Sequence, residues 1–127
     1  MNETVINFLS FLESAKTRCK EIHWNAAYTM SYHELADDVL DGISDYQDNI
    51  AEEAQALYGN IKIGELNPVK LSMEIDTLTM LLSAIRAELA KMKDVWTEKM
   101  FTGLVNETDD YWHLVNKQIY LARICQK

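Results

Sequence analysis

The chain contains few prolines and glycines, which break helices, and few cysteines, which can cross-link small folds by disulfides. Its 127 residues include one proline, four glycines and two cysteines. Scarce proline and glycine favour long helices over turn-rich β structure. Cys19 and Cys125 form neither a C-x-x-C pair nor a disulfide framework, so we expect two reduced thiols. No apolar run reaches the roughly 18 residues that span a bilayer, and no signal-peptide pattern opens the chain, which together predict a soluble cytoplasmic protein.

Basic residues are absent from the segment that carries the excess negative charge. The chain has 20 acidic and 12 basic residues, and its net charge is −8. Eight acids and no bases lie within residues 31–59: Glu34, Asp37, Asp38, Asp41, Asp45, Asp48, Glu52 and Glu53. A chain without a basic block is a poor nucleic-acid binder by bulk electrostatics. The acidic segment is therefore the place to look for function.

Apolar residues recur at helical spacing along the chain, and no strand pattern competes with them. The spacing predicts an all-α four-helix bundle in one domain over residues 1–127, with helices at 3–27, 31–59, 68–92 and 95–125. On the fourth helix, Met100 is predicted to face inward.

Capping residues mark the predicted helix starts. Ser31 fits the N-cap of the second helix, Asn67 followed by Pro68 fits the third, and Asp94 fits the fourth. These starts leave about ten residues between the second and third helices, a span of at most roughly 33–36 Å. A 28-residue helix is about 42 Å long. A connection that crosses the full length of the bundle is therefore barely possible.

Two pairs of potential metal ligands lie on the acidic helix. His33 and Asp37 are four residues apart, as are Asp48 and Glu52. Side chains at i and i+4 meet on one helix face, so each pair can bind one metal ion. Imidazole and carboxylate together suit iron, manganese or zinc.

The two pairs cannot share an ion within one chain, because Asp37 and Asp48 are about 16 Å apart along the helix. They are, however, symmetric about the midpoint between Gly42 and Ile43. Antiparallel packing of this helix against its copy would bring His33 to the partner's Glu52, with Gly42 at the crossing. The spacing thus indicates two identical intersubunit sites in a two-fold dimer.

Simpler interpretations remain open for these residues. An acidic helix face is usually a solvated surface, and His33 is then only a residue near a helix N-terminus. His23 alone is more often a hydrogen-bonded core histidine than a ligand, and Trp24 would ordinarily be core. His113 is interpreted as structural or exposed.

The order of these motifs resembles the Dps family of mini-ferritins. The resemblance is carried by His23-Trp24-Asn25, by His33 with Asp37 four residues later, by Asp48-Asn49-Ile50-Ala51-Glu52, and by Asp94-x-x-Thr97. It implies a ferritin-like four-helix bundle with a ferroxidase centre between two-fold related subunits. By the resemblance, one chain supplies His23, His33 and Asp37, and the other supplies Asp48 and Glu52. Trp24 would lie beside this centre as an aromatic that quenches oxidising species.

The chemistry implied by the resemblance is oxidation of Fe(II) by hydrogen peroxide or dioxygen, with storage of the ferric mineral inside a twelve-subunit shell. Such a protein protects against oxidative damage. Manganese and zinc are alternatives at the same site. Three departures from the family pattern stand out: a shorter segment between His23 and His33, a connection too short for the family's small extra helix, and no lysine-rich tail. DNA binding through a basic tail is therefore not supported.

Two other functions remain as alternatives. A ferritin-like dimer could bind a metal without storing it, and a helical bundle could retain the fold in a purely structural role. The fold does not separate these possibilities.

Overall fold

Four long helices make up the structure, a computed structural model that describes residues 1–25 and 29–125. They are α1 (Glu3–Trp24), α2 (Met30–Tyr58), α3 (Leu78–Glu98) and α4 (Thr102–Cys125). The prediction of an all-α four-helix bundle is confirmed. The predicted end of the first helix, at residue 27, lies outside the described residues, and α1 is assigned as far as Trp24.

The apolar stripes of the helices meet in one core. Each helix packs against two others: α1 and α4 both contact α2 and α3. Trp96, Tyr32, Leu82 and Ile43 are among the large side chains with no significant exposure. No helix within the described ranges is both long enough and apolar enough to cross a bilayer.

The connection between α2 and α3 runs the full length of the bundle. At one end, the backbone N–H of Leu78 donates to the Tyr32 hydroxyl at 2.7 Å, which joins the starts of α3 and α2. At the other end, the Trp96 indole N–H donates to the Tyr58 hydroxyl at 3.1 Å. Since both contacts pair like ends, α2 and α3 are parallel. The crossover, residues 59–77, therefore returns from the end of α2 to the level of its start.

The predicted start of the third helix at Pro68 is wrong. The segment before α3 is not helical, because Arg18 and Ser10 of α1 hold its polar backbone groups. The Arg18 guanidinium donates to three carbonyls, those of Leu71, Ser72 and Ile75, at 2.6–2.9 Å. The helix begins instead at Leu78, where the Thr77 hydroxyl accepts from the N–H of Met80. The longer connection also removes the distance problem, since nineteen extended residues span roughly 63 Å.

The other predicted caps are also displaced. Thr29, not Ser31, caps α2, and its hydroxyl accepts from the N–H of Tyr32. Asp94 lies inside α3, which continues to Glu98. The turn into α4 contains Met100 at a φ of 62°, in the left-handed region, and its side chain is 84% exposed and not directed inward as predicted.

Candidate metal centre

The end of α1 and the start of α2 bring three potential ligands together. His23 lies in the last turn of α1, and α2 begins six residues after α1 ends. Because the chain turns back over so few residues, the first turns of α2 pack beside the last turns of α1. His33 and Asp37 project from these first turns at i and i+4, so both reach the same face as His23.

Short distances connect the three side chains. The Nε2 atoms of His23 and His33 are 2.9 Å apart, and His23 Nδ1 is 3.3 Å from Asp37 Oδ1. One ligand atom from each of the three residues falls within 4.8 Å of the others. Within residues 1–25 and 29–125, no other set of three or more His, Cys, Asp or Glu side chains meets this condition. Sequence spacing paired His33 with Asp37, and the structure adds His23 to that pair.

Hydrogen bonds orient both imidazoles. His33 Nδ1 is 3.2 Å from the backbone carbonyl of His23, and a carbonyl only accepts, so this nitrogen donates. His23 Nδ1 lies at an ion-pair distance, 3.3 Å, from Asp37 Oδ1. The two Nε2 atoms share a hydrogen bond, so one of them carries a proton that a bound metal ion would replace. The carbonyl contact of His33 is the kind of outer contact that commonly orients a metal-binding histidine.

The separation of the two Nε2 atoms allows both nitrogens to bind one ion. Two nitrogens at about 2.1 Å from an ion lie roughly 3.0 Å apart at 90° and roughly 3.4 Å apart at the tetrahedral angle. The 2.9 Å contact is that of the hydrogen bond between the rings, and a small shift satisfies either geometry. Two histidines and one carboxylate with open positions are a ligand set typical of non-haem iron. The ligand types present therefore fit an ion such as iron or manganese.

The second predicted pair lies apart from this cluster. Asp48 and Glu52 are exposed on α2, eleven residues or more beyond Asp37, which corresponds to about 16 Å along the helix axis. They do not join His23, His33 and Asp37 within one chain. Whether a second copy brings them to that centre stays a prediction.

Three residues lie between the two pairs on the same side of α2. At about 100° per residue from His33, Leu40 falls at about −20°, Ser44 at about 20° and Asp41 at about 80°, between Asp48 and Glu52. Leu40 and Ser44 are half-buried and Asp41 is exposed, whereas Asp45 points further round the helix. The strip between the pairs, Leu40, Asp41 and Ser44, therefore presents one acid beside a short and an apolar side chain.

Gly42 does not lie on this strip, and its predicted place at a crossing of two α2 helices is wrong. A Cβ atom on Gly42 would lie 3.3 Å from Leu114 Cδ2 and 3.6 Å from Tyr111 Cε1. Both neighbours belong to α4. The glycine thus permits close packing between α2 and α4 inside one chain.

A surface cavity of about 340 Å³ adjoins the imidazoles, and Asp37 is not among its lining residues. It is lined by Ile22, His23, Trp24, Asn25, Thr29, Met30, Tyr32 and His33. Trp24 is 71% exposed and Met30 69% exposed, so the tryptophan is not a core residue. Trp24 does share a cavity with His23 and His33, as the resemblance implies. Nothing in the sequence pattern marked Met30 or Thr29 as part of this surface.

The bundle interior offers no comparable ligand set. Among the described residues, the buried polar side chains are Ser10, Ser14, Arg18, Gln47, Thr108 and Gln118, and none is a carboxylate. The rings of Tyr46 and Tyr111 stack with centroids 4.5 Å apart, and burial raises the pKa of both phenols. Burial, with a smaller contribution from Asp37, also raises the pKa of the Cys19 thiol to about 12. The described interior thus holds no acidic ligand, and His113 lies on the surface.

The chain matches none of the protein-family models, curated proteins or solved structures with which it was compared.

Proposed function

We propose that the protein oxidises Fe(II) and stores the product, in the manner of the Dps mini-ferritins. The observation that carries the proposal is the convergence of His23, His33 and Asp37 on an exposed helix edge. Iron is the substrate here and not a resident cofactor. Its ligands are accessible, as a site that takes up and passes on ions requires.

The position of the centre supports completion by a partner. One chain supplies three ligands, and an octahedral ion has six positions. Antiparallel pairing of two α2 helices would place the partner's Asp48 and Glu52 beside these open positions, because the two ligand pairs are symmetric on the helix. Ser44 lies between the pairs, and its short, half-buried side chain would face the partner's Asp41 and leave room for that approach.

The connectivity of the bundle supports the same class of protein. Ferritin-like bundles contain one long crossover connection, and residues 59–77 make such a crossover here. Di-iron ferritin-like proteins commonly hold their metals with carboxylates inside the bundle, and the described interior has none. A site at an interface between subunits would reconcile the ferritin-like connectivity with a described interior that has no carboxylate.

The proposed reaction takes one electron from each of two ferrous ions and gives both to one peroxide. With two protons, two Fe(II) and one hydrogen peroxide yield two Fe(III) and two water molecules. Carboxylates stabilise the harder ferric product, and the imidazoles bind the ferrous substrate. Pairing the two ions avoids one-electron reduction of peroxide, and the exposed Trp24, next to His23, would intercept stray oxidants. We further propose a cytoplasmic location, since both cysteines are free thiols.

Mixing two half-site variants tests the shared centre. One variant carries His33→Ala with Asp37→Ala, and the other carries Asp48→Ala with Glu52→Ala. Each alone should lose peroxide-dependent Fe(II) oxidation, measured by the appearance of the ferric product. After the two are unfolded together and refolded, random pairing makes half of the dimers mixed, and each mixed dimer has one complete site of two. The mixture should recover about a quarter of the wild-type activity.

The matched control for mixing is the refolding of each variant by itself. Recovery in either single refolding, or no recovery in the mixture while mixed dimers are present by native mass spectrometry, would contradict a centre shared between chains.

A metal-binding dimer without storage is the second candidate, because His23, His33 and Asp37 already suffice to hold one ion within a chain. Particle mass separates the two functions. Twelve 14.7 kDa subunits in one particle support storage, and a dimer at all iron loadings supports the second candidate.

A further inference from the structure

The cavity beside the imidazoles lies where a small molecule could reach a bound metal ion without displacing any of its protein ligands. Asp37 does not line this cavity, although His23 and His33 both do. The cavity is therefore bounded by the imidazole pair and not by the carboxylate. In the proposed dimer, the partner's carboxylates would approach along α2 from the Asp37 side, so the two routes to the ion are different.

The walls of the cavity are apolar and aromatic. Ile22, Trp24 and Met30 are among the residues that line it, and Thr29 adds a hydroxyl group. Trp24 and Met30 are more exposed than other large side chains near the centre, at 71% and 69%. A volume of about 340 Å³ lies within the range of small-molecule sites, roughly 300–1,000 Å³. The site thus offers a flat apolar wall next to metal-binding nitrogens.

The open coordination positions define the head group of such a ligand. Three ligands from one chain and one carboxylate from the partner leave two positions on a six-coordinate ion, with the other carboxylate on the second ion. Two neighbouring oxygen donors on one ligand can occupy both of these positions together. Hard anionic oxygens suit iron, and ferric iron most of all.

From these observations we infer that the cavity binds a small aromatic chelator of the catecholate class to the metal held by His23, His33 and Asp37. The two phenolic protons leave to solvent as the oxygens coordinate. The ring lies against Trp24, and the Met30 sulfur contacts the ring edge. This inference rests on the metal binding proposed above. It gives the centre a route by which iron is exchanged with a small soluble carrier.

Binding of 4-nitrocatechol tests this inference, because its visible absorption shifts when it coordinates a metal. The protein is first titrated anaerobically with Fe(II) alone, by calorimetry. At saturating Fe(II), 4-nitrocatechol should then bind with one ligand per chain and a shifted spectrum. Ultrafiltration should retain both the iron and the chelator with the protein.

Variants of the cavity wall give the specific readout. Trp24→Ala should weaken 4-nitrocatechol binding about tenfold at saturating Fe(II), and Trp24→Phe should restore most of it. Met30→Ala should weaken it about threefold. Met80→Ala is the matched control, since Met80 is an exposed methionine on α3, outside the cavity, and it should change nothing.

Two results would overturn the inference, and they differ in what else they affect. Unchanged affinity in both Trp24→Ala and Met30→Ala, or passage of an iron–nitrocatechol complex through the filter, refutes the chelator site alone. Failure of Fe(II) to bind in the first titration refutes the proposed function together with it.

Discussion

The two ligand pairs on α2 differ in which residues lie opposite them. At the start of the helix, His33 and Asp37 meet His23, because α1 ends beside them. At the other end, Asp48 and Glu52 are equally exposed but join no ligand cluster within the described chain. The same helix therefore carries one half-site that a single chain assembles and one that it does not. Under the proposed function, this difference predicts that the first ion needs only the half that one chain assembles, whereas oxidation needs both halves.

The largest expected effect concerns the half-site that a single chain assembles from His23, His33 and Asp37. His33→Ala with Asp37→Ala should weaken Fe(II) binding by more than a hundredfold, since loss of even an outer-shell partner costs roughly 10–100-fold. Asp48→Ala with Glu52→Ala should retain one ferrous ion per chain and lose the second. Anaerobic calorimetry gives both stoichiometries, and circular dichroism checks that each variant keeps its helices.

The comparison fails if the two double variants behave alike. Equal loss of the first ion in both would mean that the two ends of α2 form a single site from the outset. Full retention in both would mean that iron binds elsewhere.

Within that half-site, spacing in the sequence predicts only the contacts between residues close together on one helix. His33 and Asp37 are four residues apart on one helix, so periodicity alone pairs them. His23 came from the family resemblance, because its contact depends on how α1 turns into α2. The symmetric relation to Asp48 and Glu52 is again a matter of spacing along one helix.

The crossover was missed because its conformation is set by residues distant in sequence. Asn67 and Pro68 carry a genuine helix-start pattern, but the N–H of Asn67 donates to the Ser10 hydroxyl across the chain. Arg18 likewise binds carbonyls more than fifty residues away. Gly42 was assigned to a subunit contact for a similar reason, since spacing cannot show which neighbour a glycine faces.

The second prediction tests how much the contacts between Arg18 and the crossover contribute to the stability of the fold. Arg18 is 7% exposed and donates to three crossover carbonyls. Arg18→Met should lower the free energy of unfolding by about 3 kcal/mol, because it removes three charge-assisted bonds to part-buried carbonyls. Urea denaturation measures this loss. Arg18→Lys, which keeps the charge, should lose less.

An equal loss in Arg18→Lys and Arg18→Met would show that the guanidinium geometry alone matters. A loss below about 1 kcal/mol in Arg18→Met would show that the crossover is held by other contacts, since a typical hydrogen bond is worth that much.

The third prediction addresses Ser44, on the strip of α2 between the two ligand pairs. In the antiparallel pairing, Ser44 would face the partner's Asp41, so Ser44→Glu places like charges together twice per dimer. The dimer dissociation constant should rise about tenfold. Analytical ultracentrifugation measures it. Ser83→Glu is the matched control, since Ser83 is half-buried on α3 and should leave the dimer unchanged. Equal effects of the two substitutions would contradict the proposed face.

The smallest expected effect comes from Gly42→Ala, one turn from the strip but on another side of α2. A methyl group there meets Leu114 Cδ2 at 3.3 Å. Leu114 is 39% exposed, so its side chain has room to move. The gain in helix propensity, about 1 kcal/mol, offsets the remaining crowding. Thermal and urea unfolding should therefore change by less than about 1 kcal/mol, and the dimer dissociation constant should not change. A weakened dimer in Gly42→Ala, with Ser44→Glu silent, would return the crossing point to Gly42 and reverse the assignment of the two faces.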